Sequence, residues 1–370
     1  LLPRVEILEA RWVPSTLTSP QRQLNPLAPY FAVGGAPGHV QVRRIIDGSL
    51  KYDFTPFGPG YTGSISVAVG DVNHDGFDDL IAGTATGVDL VKAFNGQPIA
   101  NGTFLAANPD TDLLVQFSPY GAQFNVGVNV AAGDISGNGF ADIVTGPTAG
   151  NPDVRVFSGL DVANGTFNPT GASLLAQWFP YALNDDIGAN VGAGDVSRDG
   201  FADVVTGPTA GNPDVRVYNG FDIARRLFFP ATSSLLAQFF AYGLQDNVGA
   251  YVAVGDTNAD GYGNVITGAT AGNPDVHVYD GRAIALHTFN PQVNLLTHFF
   301  AFDLGQDLGV TVGSADFLDA FGAFDILTGN SRTAPNYRLV RGNAVGTKPP
   351  AAKGIEGLAA SIAGGIFVGA

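Results

Sequence analysis

Cysteine and methionine are both missing from the 370 residues. Without cysteine there is no disulfide, no thiol nucleophile and no thiolate metal site. Cys-free chains occur in every compartment, so the redox setting stays open. Without methionine there is no initiator, and the chain is expected to be a processed or excised piece. Charge is scarce at 14%, and positive charge scarcer, with 18 Lys and Arg against 33 Asp and Glu, a net of −15. Phosphate backbones are gripped by clustered Lys and Arg, so nucleic acid is not an expected partner. No run reaches the roughly 18 apolar residues of a membrane span. No secretory signal peptide is read either, and a removed one is compatible with that. Long helices are disfavoured, because 50 glycines and 23 prolines make up about a fifth of the chain.

What is present is a repeat. Gly70–Gly83 (GDVNHDGFDDLIAG), Gly133–Gly146 (GDISGNGFADIVTG), Gly194–Gly207 (GDVSRDGFADVVTG) and Gly255–Gly268 (GDTNADGYGNVITG) align without gaps. Their first aspartates, Asp71, Asp134, Asp195 and Asp256, are spaced by 63, 61 and 61 residues, and a degraded fifth copy starts at Asp316. Each unit reads as four strands. Strand A precedes the aspartate, as in Ala250–Val254, and strand B follows the acidic loop, as in Asp203–Thr206. Strand C is the Asp-Val-Arg-Val-aromatic run at Asp153–Phe157 and Asp214–Tyr218, echoed at Asp275–Tyr279. Strand D is the Leu-Leu-x-x-aromatic run at Leu113–Phe117, Leu174–Trp178, Leu235–Phe239 and Leu295–Phe299.

Four short antiparallel strands recurring about every 60 residues fit the blades of an all-β β-propeller. Pro29–Gly48 reads as a B–C pair without its A strand, and Leu50–Phe57 as its D strand. Gly364–Ala370 reads as an A strand that stops where its aspartate would begin. The last strand is therefore expected to complete the first blade, giving six blades, with seven the less favoured count. Residues 29–370 form one propeller domain on this reading, after a tail or leader remnant at residues 1–28. Residues 343–360 stand where the last D strand belongs but read as a linker or damaged strand.

The acidic loop follows D-x-[DNS]-x-[DN]-G-[FY]-x-[DN]. Oxygen-bearing side chains occupy positions 1, 3, 5 and 9, glycine at 6 permits a sharp turn, and the aromatic at 7 can offer its carbonyl. A hard cation such as Ca²⁺ takes about six to eight oxygens, which such a loop supplies. The candidate ligands are Asp71, Asn73, Asp75, the carbonyl of Phe77 and Asp79 in the first loop, and Asp134, Ser136, Asn138, the carbonyl of Phe140 and Asp142 in the second. The third offers Asp195, Ser197, Asp199, the carbonyl of Phe201 and Asp203; the fourth offers Asp256, Asn258, Asp260, the carbonyl of Tyr262 and Asn264. Asp, Asn and Gly also make good turns, but four copies in register, each keeping all four oxygens, favour about four Ca²⁺ ions in a structural role. The first and third loops carry most ligand charge and are expected to bind tightest. The fifth copy, with Leu318 and Ala320 at positions 3 and 5, is expected to bind weakly or not at all.

These motifs, with the hydrophobic run into Thr-Gly and then Asn-Pro-Asp-Val-Arg-Val-[Phe/Tyr], resemble the FG-GAP/VCBS repeat family, which includes the propeller of integrin α subunits and many bacterial secreted proteins. The resemblance covers about Pro29 to Arg341. It implies a calcium-binding propeller, an extracellular or cell-surface setting, and adhesion or ligand binding. Pro3–Ser15 (PRVEILEARWVPS) is similar to a short motif near the N-termini of large planctomycete surface proteins.

The remaining residues offer little chemistry. The five histidines form no HxH or HExxH pair, so no zinc or His-based catalytic site is expected, and no catalytic residue is assigned. The face opposite the acidic loops carries Tyr120, Tyr181, Asn184, Tyr242 and Gln245, which are candidate ligand contacts; the three tyrosines recur at one repeat position, which favours packing between blades. Asp153, Asp214 and Asp275 read as turn caps before strand C, with a ring of acceptors as the alternative, and Arg155 and Arg216 as contacts to a neighbouring blade. The functional expectation is a non-enzymatic binding or adhesion module for an extracellular protein or glycan, monomeric or part of a larger surface protein. A carbohydrate-binding lectin is the alternative, ahead of a polysaccharide lyase or hydrolase and a passive spacer.

Overall fold

The computed structural model describes residues 30–35, 37–44, 48–121, 123–183, 185–243, 246–304, 309–315, 323–330, 337–340, 353–354 and 366–369. Its strands form six four-stranded antiparallel sheets. The first sheet holds β1 (Tyr30–Gly35), β2 (His39–Arg44) and β3 (Leu50–Phe54). Blade 2 is β4 (Ile65–Gly70), β5 (Asp79–Thr84), β6 (Val91–Phe94) and β7 (Leu113–Phe117). Blade 3 is β8 (Val128–Gly133), β9 (Asp142–Pro147), β10 (Val154–Phe157) and β11 (Leu174–Trp178). Blade 4 is β12 (Asn190–Gly194), β13 (Asp203–Gly207), β14 (Asp214–Tyr218) and β15 (Leu235–Phe240). Blade 5 is β16 (Ala250–Gly255), β17 (Asn264–Ala269), β18 (Asp275–Tyr279) and β19 (Leu295–Phe300). Blade 6 is β20 (Val310–Ala315), β21 (Asp325–Asn330), β22 (Tyr337–Val340) and the two-residue β23 (Lys353–Gly354). The final strand, β24 (Ile366–Gly369), pairs antiparallel with β1 over Ala32↔Gly369 to Gly35↔Ile366 and supplies the missing A strand of blade 1.

The A strands touch in sequence around the molecule, β4 to β8, β12, β16 and β20, and β24 touches both β20 and β4. The ring is thus closed, and the A strands line a cavity of about 100 Å³. Strand B carries a glycine at its last or next-to-last residue because the next blade comes close there. A Cβ at Gly83, Gly146, Gly207 or Gly268 would run into the carbonyl of Val128, Ala189, Ala250 or Val310 in the following A strand.

The core lies between blades. One cluster joins Ile81, Val91 and Phe117 of blade 2 to Val128, Ile143 and Phe157 of blade 3. The aromatic that ends each D strand explains the Leu-Leu-x-x-aromatic signature. Phe117 packs on Phe157 and Phe167 of the next blade, with centroids 4.9 Å away in both cases. Trp178 repeats this with Tyr218 and Phe228 (5.2 and 4.9 Å), and Phe239 with Tyr279 and Phe289 (4.6 and 4.9 Å). Tilted or edge-on aromatic pairs of this kind add about 0.5–1.5 kcal/mol beyond the area they bury.

The sequence reading misses four short helices after the C strands: α1 (Gly96–Asn101), α2 (Gly159–Ala163), α3 (Gly220–Ala224) and α4 (Gly281–Ala285). Each opens on a capped turn: Asn95, Ser158, Asn219 and Asp280 accept a backbone N–H of the first turn. The stretch read as a linker or damaged strand contributes β23, which pairs with β22. Residues 1–28, with Pro3–Ser15, lie outside the described residues, as does the loop starting at Asp316 with Leu318 and Ala320.

Candidate functional site: the acidic loops

Each acidic loop joins strands A and B, and the four share one backbone. Position 4 is left-handed in all of them: φ is 57° at His74, 67° at Gly137, 59° at Arg198 and 58° at Ala259. Position 6 is a left-handed glycine, from 86° to 90°. The two reversals turn the carboxylate at position 1 back over the loop. Asp71 accepts the N–H of Asp75 and of Gly76 at 3.0 Å each. Asp134 does the same with Asn138 and Gly139, Asp195 with Asp199 and Gly200, and Asp256 with Asp260 and Gly261. Position 5 accepts the N–H of position 7 in every loop: Asp75 from Phe77, Asn138 from Phe140, Asp199 from Phe201 and Asp260 from Tyr262. Positions 1, 3 and 5 are thereby gathered on a short arc, as the spacing requires.

Position 9 is fully buried and acts as the pivot of the unit. Asp79 accepts the N–H of Val72 (2.9 Å) and Asn73 (3.2 Å) on one oxygen and that of Gly96, the first residue of α1, at 2.8 Å on the other. Asp142 joins Ser136 N to Gly159 N, and Asp203 joins Ser197 N to Gly220 N. Burial pushes the carboxyls of Asp79 and Asp142 up to about 7 and that of Asp203 up to about 8, against the stabilising N–H bonds. Neighbouring carboxylates push the same way, Asp75 on Asp79 and Asp199 on Asp203. Burial also raises Asp71, Asp134, Asp199 and Asp256. A cluster of desolvated like charges is a site that a cation relieves.

The donor set fits a hard cation in the first three loops. Ionised carboxylates carry about four lone-pair sites each, so the N–H bonds leave oxygen lone pairs in reserve. Ser136 and Ser197, the position-3 residues of the second and third loops, have hydroxyls that are buried and make no hydrogen bond of acceptable geometry. An unbonded buried hydroxyl costs about 1–3 kcal/mol, and a coordinated cation would employ both. The fourth loop departs from the expectation at position 9. Asn264 turns its Oδ1 to Gly281 N (3.2 Å) and donates Nδ2 to Thr257 Oγ1 (2.7 Å) and Asn258 Oδ1 (3.3 Å). It therefore offers the loop an amide N–H₂ where the other loops offer oxygen.

The loops are also linked to one another. The carbonyl of Asp71 accepts Ala141 N of the second loop (2.8 Å), Asp134 accepts Ala202 N of the third (2.9 Å), Asp195 accepts Gly263 N of the fourth (2.7 Å), and Asp256 accepts Phe324 N (2.7 Å). His74 lies over Phe140, and Arg198 over Tyr262. The loops form one belt on one face of the ring.

On the opposite face, Tyr181 and Tyr242 are spent on packing between blades. Tyr181 Oη donates within reach of Thr206 Oγ1 (3.2 Å) and Asp214 O (3.0 Å) of blade 4, and Tyr242 Oη does the same with Thr267 Oγ1 (3.1 Å) and Asp275 O (3.0 Å) of blade 5. Tyr120 is buried beside Thr145. Tyr120 and Tyr181 are buried, and Tyr242 is partly so. Asn184 and Gln245 lie outside the described residues. Asp153 and Asp214 serve as acceptors, the alternative to turn caps, and hold side chains of strands C and D. Asp153 takes Arg155 (2.7 Å) and Gln177 (3.0 Å), and Asp214 takes Arg216 (2.7 Å) and Gln238 (3.0 Å). The two arginines do reach the preceding blade, over the rings of Tyr120 and Tyr181. What sequence spacing concealed is a meeting of His277 and His298 beside Asp275. The signal was available in the repeat itself, where these two histidines replace the Arg and Gln of blades 3 and 4.

Among known proteins, a family model described as FG-GAP repeat matches residues 56–97, the stretch holding the first acidic loop. Integrin alpha-V of Gallus gallus is 25% identical over 254 residues, 64% of this chain and 24% of the integrin. The chain therefore spans about a quarter of the length of that relative. The Raptor protein of Chaetomium thermophilum matches with a TM-score of 0.49 at 13% identity, over 85% of this chain and 23% of that one. A lectin from Agrocybe aegerita, solved for its recognition of non-reducing terminal N-acetylglucosamine, matches with a TM-score of 0.42 at 14% identity, over 86% of this chain and 74% of that one. The matched FG-GAP repeat lies on blade 2, and its acidic loop and four-stranded unit recur in the next three blades.

Proposed function

We propose that the chain is a non-enzymatic binding module that works outside the cell, stabilised by Ca²⁺ in its acidic loops and presenting a loop face to a protein ligand. The observation that carries the calcium reading is the burial of Asp79, Asp142 and Asp203 among like charges, with the buried hydroxyls of Ser136 and Ser197 beside the carboxylates at a ligand position. The cation is structural on this reading: it neutralises the belt and locks each A–B turn, and metal that binds only the folded chain adds stability by mass action. In the loops the carboxylates are engaged in holding turns, which suits a scaffold better than a reaction. Among the described residues, no helix is long and apolar enough to cross a membrane.

The ligand face we favour is the one opposite the belt. There Phe179, Phe240 and Phe300, each directly after the buried D-strand aromatic, are 43–45% exposed at one repeat position in three successive blades. Aromatic rings left in water at regular intervals suit contact with another macromolecule. The same regularity supports a second reading, a lectin with equivalent sugar platforms, which saturable binding of several sugars per chain would separate from a protein ligand.

Calorimetric titration of the chelated chain with Ca²⁺, with thermal melts of both forms, tests the calcium reading. Binding of about four ions, the fourth loop weakest, and a large rise in melting temperature are expected. No heat of binding and an unchanged melt would reduce the loops to turns.

A further inference from the structure

We propose that blade 5 carries a second kind of metal site, a three-ligand site for a divalent transition ion such as Zn²⁺, formed by Asp275, His277 and His298. It lies on strands C and D, away from the acidic loops, and takes ions of different chemistry.

Register puts the three side chains on one face. Asp275 and His277 are two residues apart on β18, and His298 on β19 is the direct antiparallel partner of His277. Side chains two apart along a strand, or directly opposite across a pair, point to the same side. The imidazole rings are 5.5 Å apart at 73°. His277 Nε2 is 3.1 Å from Asp275 Oδ2, His298 Nδ1 is 4.0 Å from Asp275 Oδ1, and the three candidate donor atoms all fall within 4.8 Å of one another.

The protonation of His277 follows from its neighbour. Tyr279 Oη donates its proton to the carbonyl of Ala241 at 2.7 Å. It can then only accept from His277 Nδ1, 3.0 Å away. A neutral His277 therefore carries its proton on Nδ1 and aims the Nε2 lone pair at the Asp275 carboxylate. Two acceptors facing each other at 3.1 Å repel unless a cation lies between them, either a proton on Nε2 or a metal ion. A hydrogen bond from the distal ring nitrogen to a fixed partner is the usual way a ligating histidine is oriented.

Comparison between blades points to the metal. In blades 3 and 4 the same aspartate is neutralised by a permanent cation, Arg155 or Arg216, and a glutamine donates to it from strand D. In blade 5 both donors have become imidazoles, so Asp275 has lost its permanent counter-charge and gained two lone pairs. Asp275 Oδ1 is buried without a hydrogen bond. Asp214 Oδ1 is unbonded too, but there Arg216 supplies the charge. Two imidazole nitrogens and a carboxylate suit Zn²⁺ or Co²⁺, with bonds of about 2.0–2.2 Å, and suit Ca²⁺ poorly. The exposed His298 is free of close packing, and a small rotation of its ring would bring Nδ1 nearer to Asp275. Three protein ligands leave the fourth position open to solvent, on the side of the exposed His298 ring.

The test is a titration of the intact chain with Co²⁺ in millimolar Ca²⁺, so that the acidic loops are filled, read by visible absorption, with Zn²⁺ added as competitor. One Co²⁺ per chain, a ligand-field band of low symmetry and its loss on adding Zn²⁺ are expected. The double variant H277R/H298Q installs the residues that blades 3 and 4 already accommodate, so its fold is preserved, and it should lose binding by 100-fold or more. H298A, altered only at an exposed side chain, should show the same loss. Y279F, which removes the partner that fixes the His277 tautomer, should weaken binding about 10-fold. Absence of the cobalt band in the wild-type chain would overturn the proposal and assign the gap between His277 and Asp275 to a proton. Undiminished binding by H277R/H298Q would overturn it by placing the ion elsewhere.

Discussion

Asp203 accepts the backbone N–H of Gly220 at 2.9 Å, which ties the last residue of an acidic loop to the first residue of the helix that follows strand C. The same bond joins Asp79 to Gly96, Asp142 to Gly159 and Asn264 to Gly281. The glycines are required there, since a Cβ at Gly220 would meet the carbonyl of Ala202. Loop and helix are therefore one unit, and an amide at position 9 preserves it, as Asn264 shows. Asp203→Asn keeps an acceptor for Gly220 N but turns its Nδ2 against Ser197 N, where loop 3 has Val196 in place of the Thr257 that takes the Asn264 amide, so it should cost the chelated protein about 1 kcal/mol. It should also bind one strongly held Ca²⁺ fewer by calorimetry. Asp203→Ala, which strands two buried N–H groups, should instead cost about 2–4 kcal/mol in denaturant unfolding. An Asp203→Asn variant that binds as many ions as wild type would mean that position 9 has no part in holding the ion.

The pH dependence of the chelated protein has a definite sign. Asp79 and Asp142 titrate at about 7 and Asp203 at about 8 when folded, against 3.8 for the ordinary side chain. An acid whose folded value is raised contributes stability below its unfolded value and loses it as pH rises through the folded one. The melting temperature of the chelated chain should therefore fall between about pH 4 and pH 8. With Ca²⁺ bound, the carboxylates stay ionised and protons compete with the metal, so calcium affinity should drop as pH is lowered below 7. Melts across this range with chelator and with Ca²⁺ read both slopes. A chelated protein that grows more stable towards pH 8 would contradict the burial of these three carboxyls.

The recurrent tyrosines separate packing from hydrogen bonding. Tyr181 and Tyr242 bond to the next blade through their hydroxyls, whereas the Tyr120 hydroxyl is buried with no hydrogen bond of acceptable geometry. Tyr181→Phe and Tyr242→Phe should each cost about 1 kcal/mol, the net worth of a typical hydrogen bond. Tyr120→Phe should cost nothing or stabilise slightly. Urea unfolding of the three variants gives the ranking, and equal losses would refute the difference between blades.

The blades and the acidic loops were legible because both rest on local pattern: period-two strands, left-handed turns at glycine, and oxygens at alternate positions. The composite first blade was legible too, since Gly364–Ala370 lacks its aspartate and Pro29–Gly48 lacks its A strand. The short helices were not, because five or six residues give no helical period. Their only marks are cap residues such as Ser158 and Asn219, each with an aspartate three residues on. His277 and His298 are 21 residues apart and meet only through the register of β18 and β19, which shifts between Val278 and Tyr279. The Asp153–Arg155 fork looked like turn chemistry because a turn and a strand start share the same residue types.

Closure of the ring depends on four residues at the far end of the chain. β24 gives β1 its only described partner on that edge and touches β4 and β20 on either side. Removing residues 364–370 would expose the backbone edge of β1, whose Phe31, Ala32 and Val33 are buried in the intact ring. An unpaired edge of buried-type residues recruits another strand. The truncated chain should melt at a markedly lower temperature and run as dimers or larger species in size-exclusion chromatography. A synthetic peptide GGIFVGA, added in excess, should restore both the monomer and part of the lost melting temperature, since it supplies the strand by β-augmentation. A truncated chain that stays monomeric and melts like the intact one would show that the first blade stands without its last strand.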